Sequence, residues 1–307
     1  MSNISASRSR YNSWGDRIFD TLNVIFMLCL VVVTLYPFLN MAAVSLNDAN
    51  DAVRGGIHIW PRMFTWENYK FVFNEATIFH SMFVSASRAI VGTIVSVFCT
   101  AMLAYTLSRQ EFVLRKFITI TFILTMYISG GLIPGFLLIR DLNLLNTFAV
   151  YIIPGIISVF NMIVIRSFIE GLPEGILESA RIDGAGEFAT FIRIILPLTV
   201  PALATVSLFV AVGQWNSWFD VFLYNSSNIN LSTLQYELMK ILQTTNTASS
   251  SQSAADAFAG AMGGVTAVTP TSIRATMTIV ASLPIILVYP FLQKYFVKGM
   301  TVGGVKG

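Results

Sequence analysis

The amino-acid sequence predicts an all-α membrane protein with six transmembrane helices and both termini in the cytoplasm. Three observations lead there. Only 11% of the 307 residues are charged, against about 25% in a soluble domain, which is too few to cover a soluble surface of this size. The mean hydropathy is +0.69. The charged residues also leave six uncharged gaps of 19 to 27 residues, each long enough for a helix to cross about 30 Å of hydrocarbon. This composition excludes a soluble enzyme, a disordered protein and a nucleic-acid binder. A net charge of +3 is too small to suggest a polyanionic partner.

Taken in order, residues 1–17 form a cytoplasmic tail, and 18–297 a six-span bundle with spans at 18–46, 82–108, 117–139, 145–166, 198–222 and 273–293. The first run is too long for a signal-peptide core and no A-x-A-like site ends it, so it reads as a retained anchor. None of the runs shows the period-2 alternation of a barrel. The segments assigned to the side of the termini hold 12 Lys/Arg in 70 residues, and the opposite segments 7 in 98. The positive-inside rule therefore puts the termini in the cytoplasm. Two long outer loops follow, 48–80 with a helix-compatible stretch at Thr65–Tyr69, and 224–272 with Ser- and Ala-rich sequence. Loops of this size are functional or disordered.

Several chemistries are missing. No G-x-x-x-x-G-K-[ST] loop is present, so the chain has no P-loop nucleotide site and is not itself an enzyme. His58 and His80, the two histidines, fall in an outer segment and read as solvated loop residues. Cys29 and Cys99 lie in apolar runs, which argues against a disulfide framework or a cysteine metal site. All 16 Asp/Glu lie outside the middle of the spans. Ion-coupled carriers usually hold acidic residues there, so a secondary sugar carrier is the disfavoured alternative.

The inner segment 171–197 carries the strongest signal. Pro173 opens a helix at no hydrogen-bond cost, and Glu174 and Glu178 suit its early turns. Glu178 and Arg181 are spaced for an i,i+3 pair. Gly184 stops the helix in a left-handed cap, with Gly186 following. Phe188, Phe191, Ile192 and Ile195 form the apolar side of a second helix, which Pro197 ends. Small residues, Ser179 and Ala180, let another protein approach closely, and Ile176, Leu177, Ala180 and Ile182 have no evident internal partner.

This segment resembles the cytoplasmic EAA signature of permease subunits in binding-protein-dependent ABC importers. The pattern is E-A-A, three residues, G, nine residues, I-x-L-P. It is matched by Glu178, Ser179, Ala180, Gly184, Ile194, Leu196 and Pro197, with Ser179 replacing the first Ala. The stretches Phe64–Tyr69, Gly130–Pro134 and Gln214–Asp220 look like carbohydrate-uptake permeases of the maltose type, in the branch for oligosaccharides from complex plant or algal polysaccharides. The resemblance implies a type I importer fold in a bacterial plasma membrane, a second homologous permease and two cytoplasmic ATPases that hold ATP and Mg. It also implies an extracellular sugar-binding protein and an oligosaccharide substrate, with an acidic one among the candidates. It makes Glu178, Ser179, Ala180, Arg181, Ile182, Asp183 and Gly184 the ATPase-coupling element. No cofactor or metal is expected on this chain.

For the substrate path, sugars need aromatic faces and polar side chains. Trp215, Asn216, Trp218 and Asp220 supply both near the outer end of span five, although an interfacial aromatic belt explains the tryptophans equally well. Tyr127 and Asn161 are weaker candidates, since such residues also serve helix packing. Arg88 opens span two from outside. In order of expectation it snorkels, pairs with Asp220 or a partner subunit, or attracts an acidic sugar.

Overall fold

The computed structural model describes residues 14–74, 76–248 and 268–304. They divide into two units, one running to Val72 and resuming from Thr247 to Ile279, the other from Phe73 to Asn246 and again from Val280. Among the described residues there is no strand, and the one isolated bridge joins Asn47 and Phe64.

The first unit contains α1 (Trp14–Ser45), α2 (Ala49–Val53) and most of α3 (Glu67–Asn74). α1 is apolar along its length, and Pro37 inside it is tolerated because neighbouring polar groups can re-satisfy the freed carbonyl in a membrane helix. Beyond α1 the chain is tied by side-chain amides. Asn68 Nδ2 donates to the carbonyls of Ser45 (3.0 Å) and Asn47 (2.8 Å), and Asn47 Nδ2 donates to Asp51 Oδ2 at 2.9 Å. That Asn47 bond holds the Asp51 carboxyl below its usual range against the opposing effect of burial, with Arg62 helping. The helix-compatible stretch near Trp66 thus folds as α3, stitched to the end of α1. His58 is exposed and its Nδ1 meets Tyr36 Oη at 2.9 Å.

The second unit is built on α4 (Ala76–Ser108), which packs mainly against α7 (Val159–Glu170) and α11 (Val200–Asn216). Val97, Ala101, Ala104 and Leu107 of α4 meet Met162, Ile165 and Ile169 of α7 and Leu203 and Val206 of α11 in one buried cluster. Small residues on α4 bring the backbones together. At Gly92 a Cβ would lie 3.0 Å from Gln214 Cδ and Nε2 of α11. Gly92→Val is expected to displace Gln214 and destabilise the unit by about 1–3 kcal/mol, as overpacking does. Thermal denaturation of the purified complex, compared with Gly92→Ala, measures it. His80 lies on α4 rather than in a loop, with Nε2 at 2.7 Å from the Asn230 carbonyl oxygen.

Three expected spans are not single helices. Residues 117–139 form α5 (Arg115–Tyr127) and α6 (Leu132–Asp141), bent by 119°. Gly131, at φ +88°, adopts a conformation that a helix does not contain. Residues 145–166 begin as two 3₁₀ turns (Phe148–Tyr151 and Ile153–Gly155) and bend by 53° into α7. Residues 187–198 form a continuous helix made of α9 (Glu187–Thr190), a π turn (Phe191–Ile195) and α10 (Leu196–Leu198). It then bends by 82° into α11.

The second helix of the EAA segment ends at Leu198, one residue past Pro197 and in the turn where the sequence placed its end. The Leu196 amide bonds back to the Phe191 carbonyl, five residues away, and this widened turn accommodates a proline ring that an α turn would not. Phe191 and Ile195 are buried as expected, whereas Phe188 is 67% exposed. The chain breaks again at Ser217 before α12 (Phe219–Tyr224). The long segment expected as a loop after 224 is partly helical, with a 3₁₀ turn at Ile229–Leu231 and α13 (Leu234–Ala248). Its Ser-rich part, 249–267, lies outside the described residues. α14 (Pro270–Gly304) is the last helix. Among the described residues, three helices are long and apolar enough to cross a membrane, or up to six if each bent pair counts as one span.

Candidate functional site

Two polar constellations sit at opposite ends of α4. The first surrounds α8 (Glu174–Ile182), the helix of the EAA segment. Pro173 precedes it and Gly184 follows at φ +75°. The Gly184 amide donates to the Arg181 carbonyl (3.0 Å) and the Ala185 amide to the Ala180 carbonyl (2.9 Å), the paired bonds of a Schellman cap. Gly186 has an ordinary φ of −69°, so the left-handed requirement falls on Gly184 alone.

Arg181 does not pair with Glu178. Its Nη1 meets Glu111 Oε1 at 2.6 Å and its Nη2 meets Glu187 Oε1 at 3.6 Å. Arg109 faces the same carboxylates, at 3.7 Å from Glu111 and 3.9 Å from Glu187, and Tyr105 Oη donates to Glu187 Oε2 at 2.5 Å. Two carboxylates from outside α8 outcompete one on its own surface, where an i,i+3 pair is worth only about 0.2–0.5 kcal/mol. The network joins α8, the α4–α5 loop and α9. Its bond to Arg181, followed by a bond to its own backbone amide, holds the Glu111 carboxyl down to about 2, and the neighbouring carboxylates push the Arg181 guanidinium up.

Two α8 residues expected to lack internal partners have them. Ala180 is buried and Leu177 packs on the α4–α7 core, while Ile182 is 81% exposed. Glu178, Ser179, Arg181, Asp183 and Gly184 are also exposed. A cleft of about 640 Å³ runs between α8 and the α4–α5 loop, lined by Glu174 and Glu178 among others.

The second constellation surrounds Arg88, twelve residues into α4 and only 2% exposed. Its Nε donates to Gln214 Oε1 (2.7 Å), its Nη1 to Asp220 Oδ1 (3.1 Å) and the Ser217 carbonyl (3.3 Å), and its Nη2 pairs with Asp220 Oδ2. The guanidinium carbon lies 4.5 Å from the centre of the Tyr151 ring. Asp220 also accepts from Ser217 Oγ (2.9 Å) and the Val221 amide (3.0 Å). Of the three expectations for Arg88, the pairing with Asp220 is the one observed. Snorkelling is not observed: the guanidinium is buried, and Nε, Nη1 and Nη2 all find acceptors within the protein.

A cavity of about 360 Å³ opens beside this cluster, lined by Arg88, Asp220, Asn161, Tyr151, Gln214, Ser96 and Ser158 among others. Arg88, Asn161 and Asp220 of the sequence candidates thus share it. Trp215 does not: it is buried, donates its indole N–H to the Ala281 carbonyl at 2.9 Å, and lines a different, apolar cavity of about 450 Å³. Trp218 packs edge-on against Phe219 with ring centres 5.7 Å apart. Asn216 is exposed and accepts from Gln235 Nε2 at 3.2 Å. Tyr127 ends α5 before the 128–131 break, is 82% exposed and lies outside the cavity. Sequence reasoning missed Gln214 and Tyr151. Gln214 carried a usable signal, as an amide inside a long apolar run; Tyr151 did not.

The model of the binding-protein-dependent transport system inner membrane component matches residues 2–302. The chain belongs to this family. It is a membrane permease component of an ABC importer, not an enzyme in its own right, and the secondary-carrier alternative is set aside. Among curated relatives, protein LplC of Bacillus subtilis (strain 168) is 38% identical over 97% of this chain and 98% of its own length. The polygalacturonan/rhamnogalacturonan transport system permease protein YtcP of the same organism is 34% identical, over 95% and 99%. A crystal structure of a bacterial ABC transporter involved in import of the acidic polysaccharide alginate contains a chain with a TM-score of 0.83. The two are 26% identical over 94% of this chain and 100% of that one. The inner membrane component therefore has the all-helical type I importer fold, with the EAA segment folded as α8 and a Gly184 cap.

Proposed function

We propose that this chain is one of two permease halves of an ATP-driven importer for oligosaccharides released from polysaccharide. It crosses a bacterial plasma membrane six times with both termini inside, the bent helix pairs counting as spans. Its partners are a second homologous permease, two cytoplasmic ATPases that carry ATP and Mg, and an extracellular sugar-binding protein. The observation that carries the reading is α8: an exposed, capped helix in the EAA register, tied by ion pairs to the α4–α5 loop and α9. α8 docks on an ATPase subunit, with the exposed residues among 178–184 as its contact. ATP binding favours one of two arrangements of the permease pair through its differential affinity for the closed ATPases. The Arg88 cavity is this half's share of the sugar path, with the neutral groups Asn161, Ser96, Ser158 and Tyr151 toward the substrate. The named relatives support a uronate-containing substrate. Arg88, already paired, is not its receptor.

Proteoliposomes carrying the whole complex are expected to take up oligosaccharide only with ATP and the binding protein. Sugar uptake by this chain without an ATPase would remove the proposal. A sharper test addresses α8. Gly184→Pro cannot adopt φ +75°, and Gly184→Val is strained there by about 1–2 kcal/mol. Both are expected to lower ATPase co-purification and uptake together, Pro more than Val. Normal co-purification and uptake in both variants would retire α8 as the docking element.

A further inference from the structure

A small basic cavity lies where α5 begins, against α7. We propose that it holds the phosphodiester headgroup of an anionic phospholipid; that it lies at the membrane surface rests on the span reading given above. Arg115 and Lys116 come from the first turn of α5 and Arg166 from α7. With Thr119 and Ile120 they line a cavity of about 160 Å³. Arg166 is oriented by two bonds, Nη1 to Thr119 Oγ1 at 2.9 Å and Nε to Glu170 Oε1 at 2.9 Å, so its cation is fixed against α5 rather than free to follow solvent. Glu170 is the carboxylate that Arg166 pairs with, and no carboxylate among the described residues pairs with Arg115 or Lys116. Lys116 lines this cavity beside the committed Arg166, and Arg115 stands between it and the neighbouring cleft that holds Glu111, Glu170, Glu174 and Glu178. The α5 N-cap residue, Leu114, offers no side-chain acceptor to the first-turn amides.

The apolar side of the cavity distinguishes a lipid from a soluble anion. Ile120 is part of the lining, and Phe117, Ile120 and Leu124 on α5 are 70%, 58% and 50% exposed. A ligand with negative charge at one end and an acyl chain at the other satisfies both parts. Inorganic phosphate satisfies one. Basic pockets at helix ends near a membrane surface attract anionic headgroups at roughly 1 kcal/mol per Lys or Arg.

The test is native mass spectrometry of the purified complex with added phosphatidylglycerol or phosphatidylcholine. The complex is expected to retain phosphatidylglycerol selectively. The double variant R115Q/K116Q should weaken that retention about 30-fold, the equivalent of about 2 kcal/mol for two charges. The control R140Q, a basic residue on α6, should not change it. Equal retention of the two lipids, displacement by millimolar inorganic phosphate, or an equal loss in R140Q would each overturn the proposal. The wild-type selectivity carries the test even if the double variant assembles poorly. Lipid retention is read without transport, so failure of sugar uptake with retention intact would count against the transport reading and leave this one standing.

Discussion

Arg88→Gln is expected to lower uptake of acidic and neutral oligosaccharides to the same degree and to reduce the amount of assembled complex. Arg88 is 2% exposed and its partner carboxylate, on Asp220, has 23% side-chain exposure. Removing Arg88 leaves Asp220 without its counter-charge, with only the bonds from Ser217 and Val221, at a cost of up to about 3–5 kcal/mol. It also frees Gln214 and the Ser217 carbonyl, which hold α11 and the start of α12 against α4. Asp220→Asn should behave similarly. The double variant Arg88→Gln with Asp220→Asn should recover much of the assembly, because no charge is then stranded. Quantifying complex by size-exclusion fluorescence, alongside uptake of a uronate and a neutral oligosaccharide, separates the cases. A selective loss of the acidic substrate at normal complex levels would show that Arg88 meets the substrate after all.

Arg181→Glu is expected to uncouple ATP hydrolysis from uptake, with at least a tenfold fall in sugar moved per ATP, equivalent to about 1.4 kcal/mol. The substitution places a third carboxylate beside Glu111 and Glu187 and breaks the tie between α8 and the α4–α5 loop. The fold itself should lose little, because solvent and salt screen an exposed ion pair. Adding Glu111→Arg restores the opposite-charge contact and should restore coupling. That rescue is the deciding measurement, since a loss from misfolding would not be reversed by it. The pH dependence follows from the same pair. Glu111 has its carboxyl held to about 2 by Arg181. A lowered carboxylate contributes above its unfolded value, near 4.5, and is lost only as pH falls toward 2. Coupling should therefore be flat in pH across the neutral range and sensitive to salt instead. A marked loss between pH 6 and 8, in proteoliposome uptake normalised to ATPase rate, would assign the tie to other groups.

The sequence by itself determined the class, the family and the local form of α8. Charge spacing is enough to find long apolar segments, because lipid admits few alternatives for a backbone that must satisfy itself. Pro173 and Gly184 act through their own φ angles, so the start and stop of α8 were legible without any neighbour. The tertiary structure decided which groups meet. Glu178 and Arg181 are neighbours in sequence, yet Arg181 turns to Glu111, seventy residues away, because helix-surface pairing is weak and two other segments each bring a carboxylate within reach. Trp215 had the composition of a sugar platform, but its ring direction placed it against Ala281 instead. The breaks at Gly131 and at Ser217 were invisible to hydropathy, which averages over a window and does not register direction, whereas Pro197 marked the one at Thr199. Arg88 shows the division plainly. Its burial depth was suggested by the apolar run, but its partner was one of three expectations until α4 and α11 closed on each other through Gly92. A long-range contact depends on the packing of whole helices, and no local pattern encodes that distance.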